Sequence, residues 1–131
     1  MFQPAFGELN IKAYQPHRPG GVVSTSLFSH EELHADLVVL PPHSEISLHT
    51  HENENELFDV IEGDGIFVVN GVEFPGGAGK CVFVKAGTVH ALRNDGDCLW
   101  TVRVTRQSRV YPRHVGMLVR RAVRKRLGLI S

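Results

Sequence analysis

Between Val22 and about Thr105 the chain runs as short stretches rich in Val, Ile, Phe and Leu, each closed off by turn residues a few positions later. Such short strands gain stability only by pairing, and turn signals this closely spaced predict antiparallel β structure closing into a sandwich or barrel. The segment GIFVVNGVEF fixes one pair. Asn70-Gly71 supplies the two positive φ values of a type I′ turn, so Ile66 to Val69 should pair with Val72 to Phe74. Pro19-Gly20-Gly21, Pro41-Pro42, Pro75-Gly76-Gly77 and Asn94-Asp95-Gly96-Asp97 punctuate the remainder. No internal repeat, low-complexity tract or linker interrupts the pattern.

After Pro112 the period changes. Val115, Leu118, Val119, Ala122, Val123 and Leu127 follow helical spacing, with Arg120, Arg121, Arg124 and Lys125 on the other side, which predicts one amphipathic helix. The 131 residues are therefore read as an N-terminal segment (1–21), one β domain (22–111) and a basic helix (112–131). Fourteen basic residues balance fourteen acidic ones, but unevenly: residues 1–112 hold eight basic and fourteen acidic side chains, residues 113–131 six basic and none acidic. A basic helical face can attract nucleic acid or an anionic membrane. Beside an acidic body it more often stays solvated while its apolar stripe packs, so neither partner is expected.

The start, MFQPAFGELNIK, lacks the basic and apolar regions of a secretory signal, and no later apolar run approaches the ~18 residues that would span a membrane. The expected compartment is the cytoplasm. Cys81 and Cys98 are too few for a disulfide framework and lie in patterned segments, so both are expected as buried, reduced thiols.

Chemistry concentrates in HTHENENELFDVIEG. With His49 and His51 on one strand, a period of two sends both imidazoles to the same face, and a hairpin could return Glu56 beside them. Downstream, GKCVFVKAGTVHALRN offers His90 just past a Gly-bounded turn. Three imidazoles and one carboxylate suit Fe(II), Mn(II), Ni(II), Co(II), Cu(II) or Zn(II), and an octahedral ion held by four ligands keeps two positions for exchange. Spacing alone leaves a second reading open, because eight His in one short chain make a His-x-His pair common and Glu56 and His90 could be surface residues. His17, His30, His34, His43 and His114 show no comparable partners and are read as solvated or hydrogen-bonded, with His43 near enough to support the ligands from behind. Asp59, out of phase with Glu56, should point away.

These residues resemble the two motifs of the cupin superfamily. The first has a Gly, five residues, His-x-His, three or four residues, Glu, six residues and a Gly. His49, His51, Glu56 and Gly63 fit it, with His43 in place of the leading Gly. The second has a Gly, five residues, Pro-x-Gly, two residues, His, three residues and Asn. Gly79, Gly87, His90 and Asn94 fit, with Lys85 where Pro usually stands. Both departures fall at turns or strand ends and touch loop shape rather than the ligands. Fifteen residues separate Gly63 from Gly79, as in small prokaryotic members.

What the resemblance implies is an all-β, double-stranded β-helix, or jelly-roll barrel, with one divalent transition metal near one end of its interior, held by His49, His51, Glu56 and His90. It further implies frequent dimerisation. Glu56, Phe58 and Val60 should share a face, as should His90 and Leu92, giving the ion an apolar surround. Phe67, Phe83 and Trp100 are expected as further walls or as core. Since the superfamily spans enzymes and plain binders, fold does not name the reaction. The first expectation is a metal-dependent enzyme on a small oxygen-rich chelating substrate, dioxygenase-type before isomerase, lyase or decarboxylase. The alternative is a non-catalytic binding module or sensor whose metal is structural or absent.

Overall fold

The computed structural model describes residues 5–16 and 18–109. The helix expected over 112–131 lies outside them, as do His17 and His114. Residues Ile11–Tyr14 form a short 3-10 helix, followed by nine strands: β1 (Val23–His30), β2 (Leu33–Leu40), β3 (Ser44–His49), β4 (Glu54–Glu62), β5 (Ile66–Val69), β6 (Val72–Pro75), β7 (Cys81–Val84), β8 (His90–Asn94) and β9 (Trp100–Ser108). They build two sheets, one of five strands in the order β1-β2-β9-β4-β7 and one of four in the order β3-β8-β5-β6. Each of these pairings is antiparallel.

Among the described strands, only β1-β2 and β5-β6 are neighbours both in sequence and within one sheet; the other connections step between sheets, which gives the jelly-roll barrel expected. The Asn-Gly hairpin forms with Asn70 at φ 50° and Gly71 at φ 78°, and the pairing runs from Val69↔Val72 to Ile66↔Pro75. No described helix is long and apolar enough to cross a membrane.

Between the sheets lies one apolar core containing Val38, Leu40, Phe58, Phe67, Val102 and Trp100. Trp100 is wholly buried, and its indole Nε1–H donates to the Gly76 carbonyl at 2.9 Å, satisfying the ring's one polar group. Gly65 and Gly76 give the rings room, since a Cβ at either would come within 2.3 Å of the Trp100 or Phe67 ring. Phe67 is core, but Phe83 is 71% exposed and walls nothing. The cause is the period of two on edge strand β7, which sends Val82 and Val84 inward and Cys81 and Phe83 out. Cys81 is thus exposed rather than buried, and Cys98 is exposed in the loop before β9.

The left-handed position that the first motif gives to Gly is kept by His43 at φ 57°, so the departure there leaves the turn intact. At the other departure, the Lys85 carbonyl accepts from Thr88 N at 3.1 Å and closes the turn without a proline. Asn94, wholly buried, ties the far side of the barrel. Its amide donates to the carbonyls of Leu40, Pro41 and Cys98, and its Oδ1 accepts from Gly96 N.

Candidate metal centre

The β3-β8 ladder sets His49 opposite His90 as Cα partners. His51 is not on the strand: β3 ends at His49, and His51 sits in the loop that carries the chain from the four-stranded sheet to β4 in the five-stranded sheet. The link to Glu56 is therefore a crossing between sheets, not a hairpin, and the two layers of the barrel supply opposite sides of the cluster. One hydrogen bond pins the loop to the second motif, from Gly87 N to the His51 carbonyl at 2.9 Å, with Gly87 at φ 82°. A side chain at Gly87 would be strained in that turn.

One ligand atom from each of His49, His51, Glu56 and His90 falls within a cluster no wider than 4.8 Å. His90 Nε2 lies 2.9 Å from Glu56 Oε1, and His51 Nε2 lies 3.6 Å from the same oxygen. Ring centroids stand 4.3 Å apart for His49–His90 and 4.9 Å for His49–His51. Each Nδ1 of His49 and His90 faces a main-chain carbonyl two residues back, Ser47 at 2.7 Å and Thr88 at 2.8 Å. An Nδ1–H donating there fixes the tautomer and leaves Nε2 with its lone pair toward the cluster.

Glu56 and His90 are 6% and 2% exposed, yet Glu56 Oε1 and His90 Nε2 are buried without a hydrogen-bond partner although they lie 2.9 Å apart. Orphaned buried polar atoms are costly. Two of them aimed at one point, with two more imidazoles around it, fit a cation. Burial works against charge on His90, but the Glu56 carboxylate and the Thr88 carbonyl outweigh it and raise the imidazole pKa from its ordinary value. His49 and His51 are half-buried, so the cluster is approachable from their side.

Phe58 stacks edge-on against the His90 ring at 5.8 Å, and Leu92 continues the same buried face of β8. The apolar surround expected behind the cluster is present. Asp59 does point away, accepting from Arg103 at 3.2 Å. His43 does not support the cluster. It sits just before β3, at the end of that strand opposite His49, and faces Asp97 at 3.2 Å. His34 hydrogen-bonds Ser29, and His30 lies near Glu31. Neither cysteine joins the centre: Cys81 stands on the outer side, where desolvation and the neighbouring Asp59 raise its pKa.

Three charged residues at the same end of the barrel went unnoticed in the sequence. Glu54 Oε1 lies 3.5 Å from His51 Nδ1, Glu54 Oε2 lies 4.0 Å from Arg106 Nε, and Arg106 donates to Asp36. The available signal was phase. Asp36 extends the inward series of Val38 and Leu40, and Arg106 extends that of Val102 and Val104. Charged residues ending an apolar series look like ordinary strand ends until the partner strands are known.

Comparison with known proteins agrees with this architecture. The family model described as "Cupin domain" matches residues 36–104. An oxalate-binding protein of Thermotoga maritima is 35% identical over 83 residues, covering 60% of this chain and 69% of that protein. Among solved structures, a Thermus thermophilus protein superposes with TM-score 0.72 at 23% identity, covering 77% of this chain and 96% of that one. A protein described as a predicted oxalate decarboxylase, from Thermotoga maritima, gives TM-score 0.55 at 31% identity over 57% of this chain and 65% of that one.

Proposed function

The chain belongs to the cupin family, and from that premise we propose that His49, His51, Glu56 and His90 hold one divalent transition-metal ion that captures a small dicarboxylate-like chelator of the oxalate class. The observation that carries this reading is the pair of orphaned buried atoms, Glu56 Oε1 and His90 Nε2, facing the two further imidazoles. A bound ion supplies a Lewis acid with exchangeable positions. The chain's own part is to orient the imidazoles through Ser47 and Thr88, to keep water from the Glu56–His90 side, and to leave the half-buried His49–His51 side open for a ligand. The oxalate class is supported by the 35%-identical oxalate-binding relative.

Calorimetric titration of oxalate into metal-loaded and metal-free protein tests the proposal. Binding should appear only with metal and disappear in His90→Ala. Equal binding without metal, or none with it, contradicts the reading. The accessible side of the cluster also supports turnover, of dioxygenase type first and decarboxylase, isomerase or lyase type next. Oxygen uptake or product formation on adding a chelating oxyacid to loaded protein would favour the enzyme. Tight binding of the oxyacid with no chemistry would favour the binding module.

A further inference from the structure

The three histidines of the cluster are not held alike. His49 and His90 lean on main-chain carbonyls, which the fold supplies whatever the side chains nearby. The His51 ring makes no such bond among the described residues; its Nδ1 faces the Glu54 carboxylate at 3.5 Å. Glu54 and Glu56 are two apart on β4 and so share the inward face, where Glu56 is the Cα partner of Arg106 on β9. Arg106 reaches toward Glu54 with Nε at 4.0 Å and is tied through Nη2 to Asp36 on β2.

We infer that Glu54 is the positioning carboxylate of His51, and that Arg106, anchored by Asp36, holds Glu54 in place, so that one histidine ligand is adjusted by residues beyond the ligand set. The inference rests on the metal reading above. A carboxylate behind a ligating imidazole orients the ring and raises its basicity more than a neutral carbonyl does. The gaps of 3.5 and 4.0 Å are longer than hydrogen bonds. A bound cation would strengthen the His51 Nδ1–H as a donor and so favour a closer Glu54 carboxylate.

The bland alternative is a solvated Glu54 beside an ordinary cross-strand Arg–Asp pair. Burial argues against it: Arg106 Nε is out of water and lacks a hydrogen-bond partner, so it gains one when Glu54 moves in. The two Glu54 oxygens already face the two groups separately, Oε1 toward His51 Nδ1 and Oε2 toward Arg106 Nε. Glu54 is thus placed to serve both neighbours at once.

Co(II) is a suitable probe, since both its affinity and its visible ligand-field bands report on the ligand set. Glu54→Gln should bind Co(II) roughly 10-fold to 100-fold more weakly than the parent and shift the bands, with the unfolding midpoint of metal-free protein near that of the parent. Arg106→Gln should weaken binding less, and add nothing further in a Glu54→Gln background. Should Arg106→Gln fail to fold, Arg106→Lys keeps a charge beside Asp36 without the planar Nε–H and carries the same expectation. Parent-like affinity and bands in Glu54→Gln, or full additivity of the two losses, overturns the inference. A parent protein that takes up no Co(II) overturns the metal reading itself, which the Glu54→Gln comparison on a Co(II)-binding parent leaves untouched.

Discussion

On β9 the inward-facing residues Trp100, Val102 and Val104 give way to Arg106, and on neighbouring β2 Leu40 and Val38 give way to Asp36. β4 does the same in the opposite chain direction, from Val60 and Phe58 to Glu56 and Glu54, and β8 passes from Leu92 to His90. The same four strands thus build both ends of one interior. At the Trp100 end each position is filled by apolar side chains and the polar atoms of Trp100 and Asn94 are satisfied. At the His90 end polar atoms are buried, and Glu56 Oε1 and His90 Nε2, 2.9 Å apart, make no hydrogen bond among the described residues. One end has completed its contacts by folding, and the other gathers four residues that could hold a metal ion.

Substitution at the closed end should cost the most stability. Trp100→Ala removes a wholly buried ring and orphans the Gly76 carbonyl, and should destabilise the protein by about 3–5 kcal/mol in denaturant unfolding. A loss below about 1 kcal/mol would mean that this end is not the packed one. At the open end the effect should fall on ligand rather than fold. His90→Ala should lower Co(II) affinity by more than the roughly 100-fold that a residue behind the ligands costs, while stability in the absence of metal changes far less than in Trp100→Ala. Comparable effects of the two substitutions on unfolding would erase the contrast.

This contrast explains what the sequence made legible. Apolar alternation and the Asn70-Gly71 turn identify strands locally, because period and turn geometry are short-range properties. The four clustered residues were legible because their two motifs sit at fixed spacing around Gly63, Gly79, Gly87 and Asn94. The link from His51 to Glu56 was misread as a hairpin because nothing in a short polar loop says whether the next strand pairs with the last or crosses to the facing sheet. Phe83 and Cys81 were misplaced for a related reason: alternation on a four-residue strand gives two faces but not which of them faces the core. Arg106 and Asp36 needed the β2-β9 register, which is a long-range fact.

A pH titration sharpens the open end further. With the His90 pKa held above its ordinary value, protons compete for Nε2 already above the usual imidazole pKa of about 6.5. Metal affinity should therefore weaken as pH falls, starting above that value, whereas an unperturbed His90 would delay the loss to lower pH. The smallest effect belongs to the outer surface. Phe83→Ser should change stability by no more than about 0.5 kcal/mol, since the ring is exposed at an edge strand.

The most direct measurement is metal content, by elemental mass spectrometry, of protein prepared without a chelating tag and then reconstituted with a divalent transition ion. One ion per chain, lost in His90→Ala and in Glu56→Ala, is the expected result. Content well below one ion per chain after reconstitution, or one ion retained in both variants, would contradict the assignment of His49, His51, Glu56 and His90 as the centre.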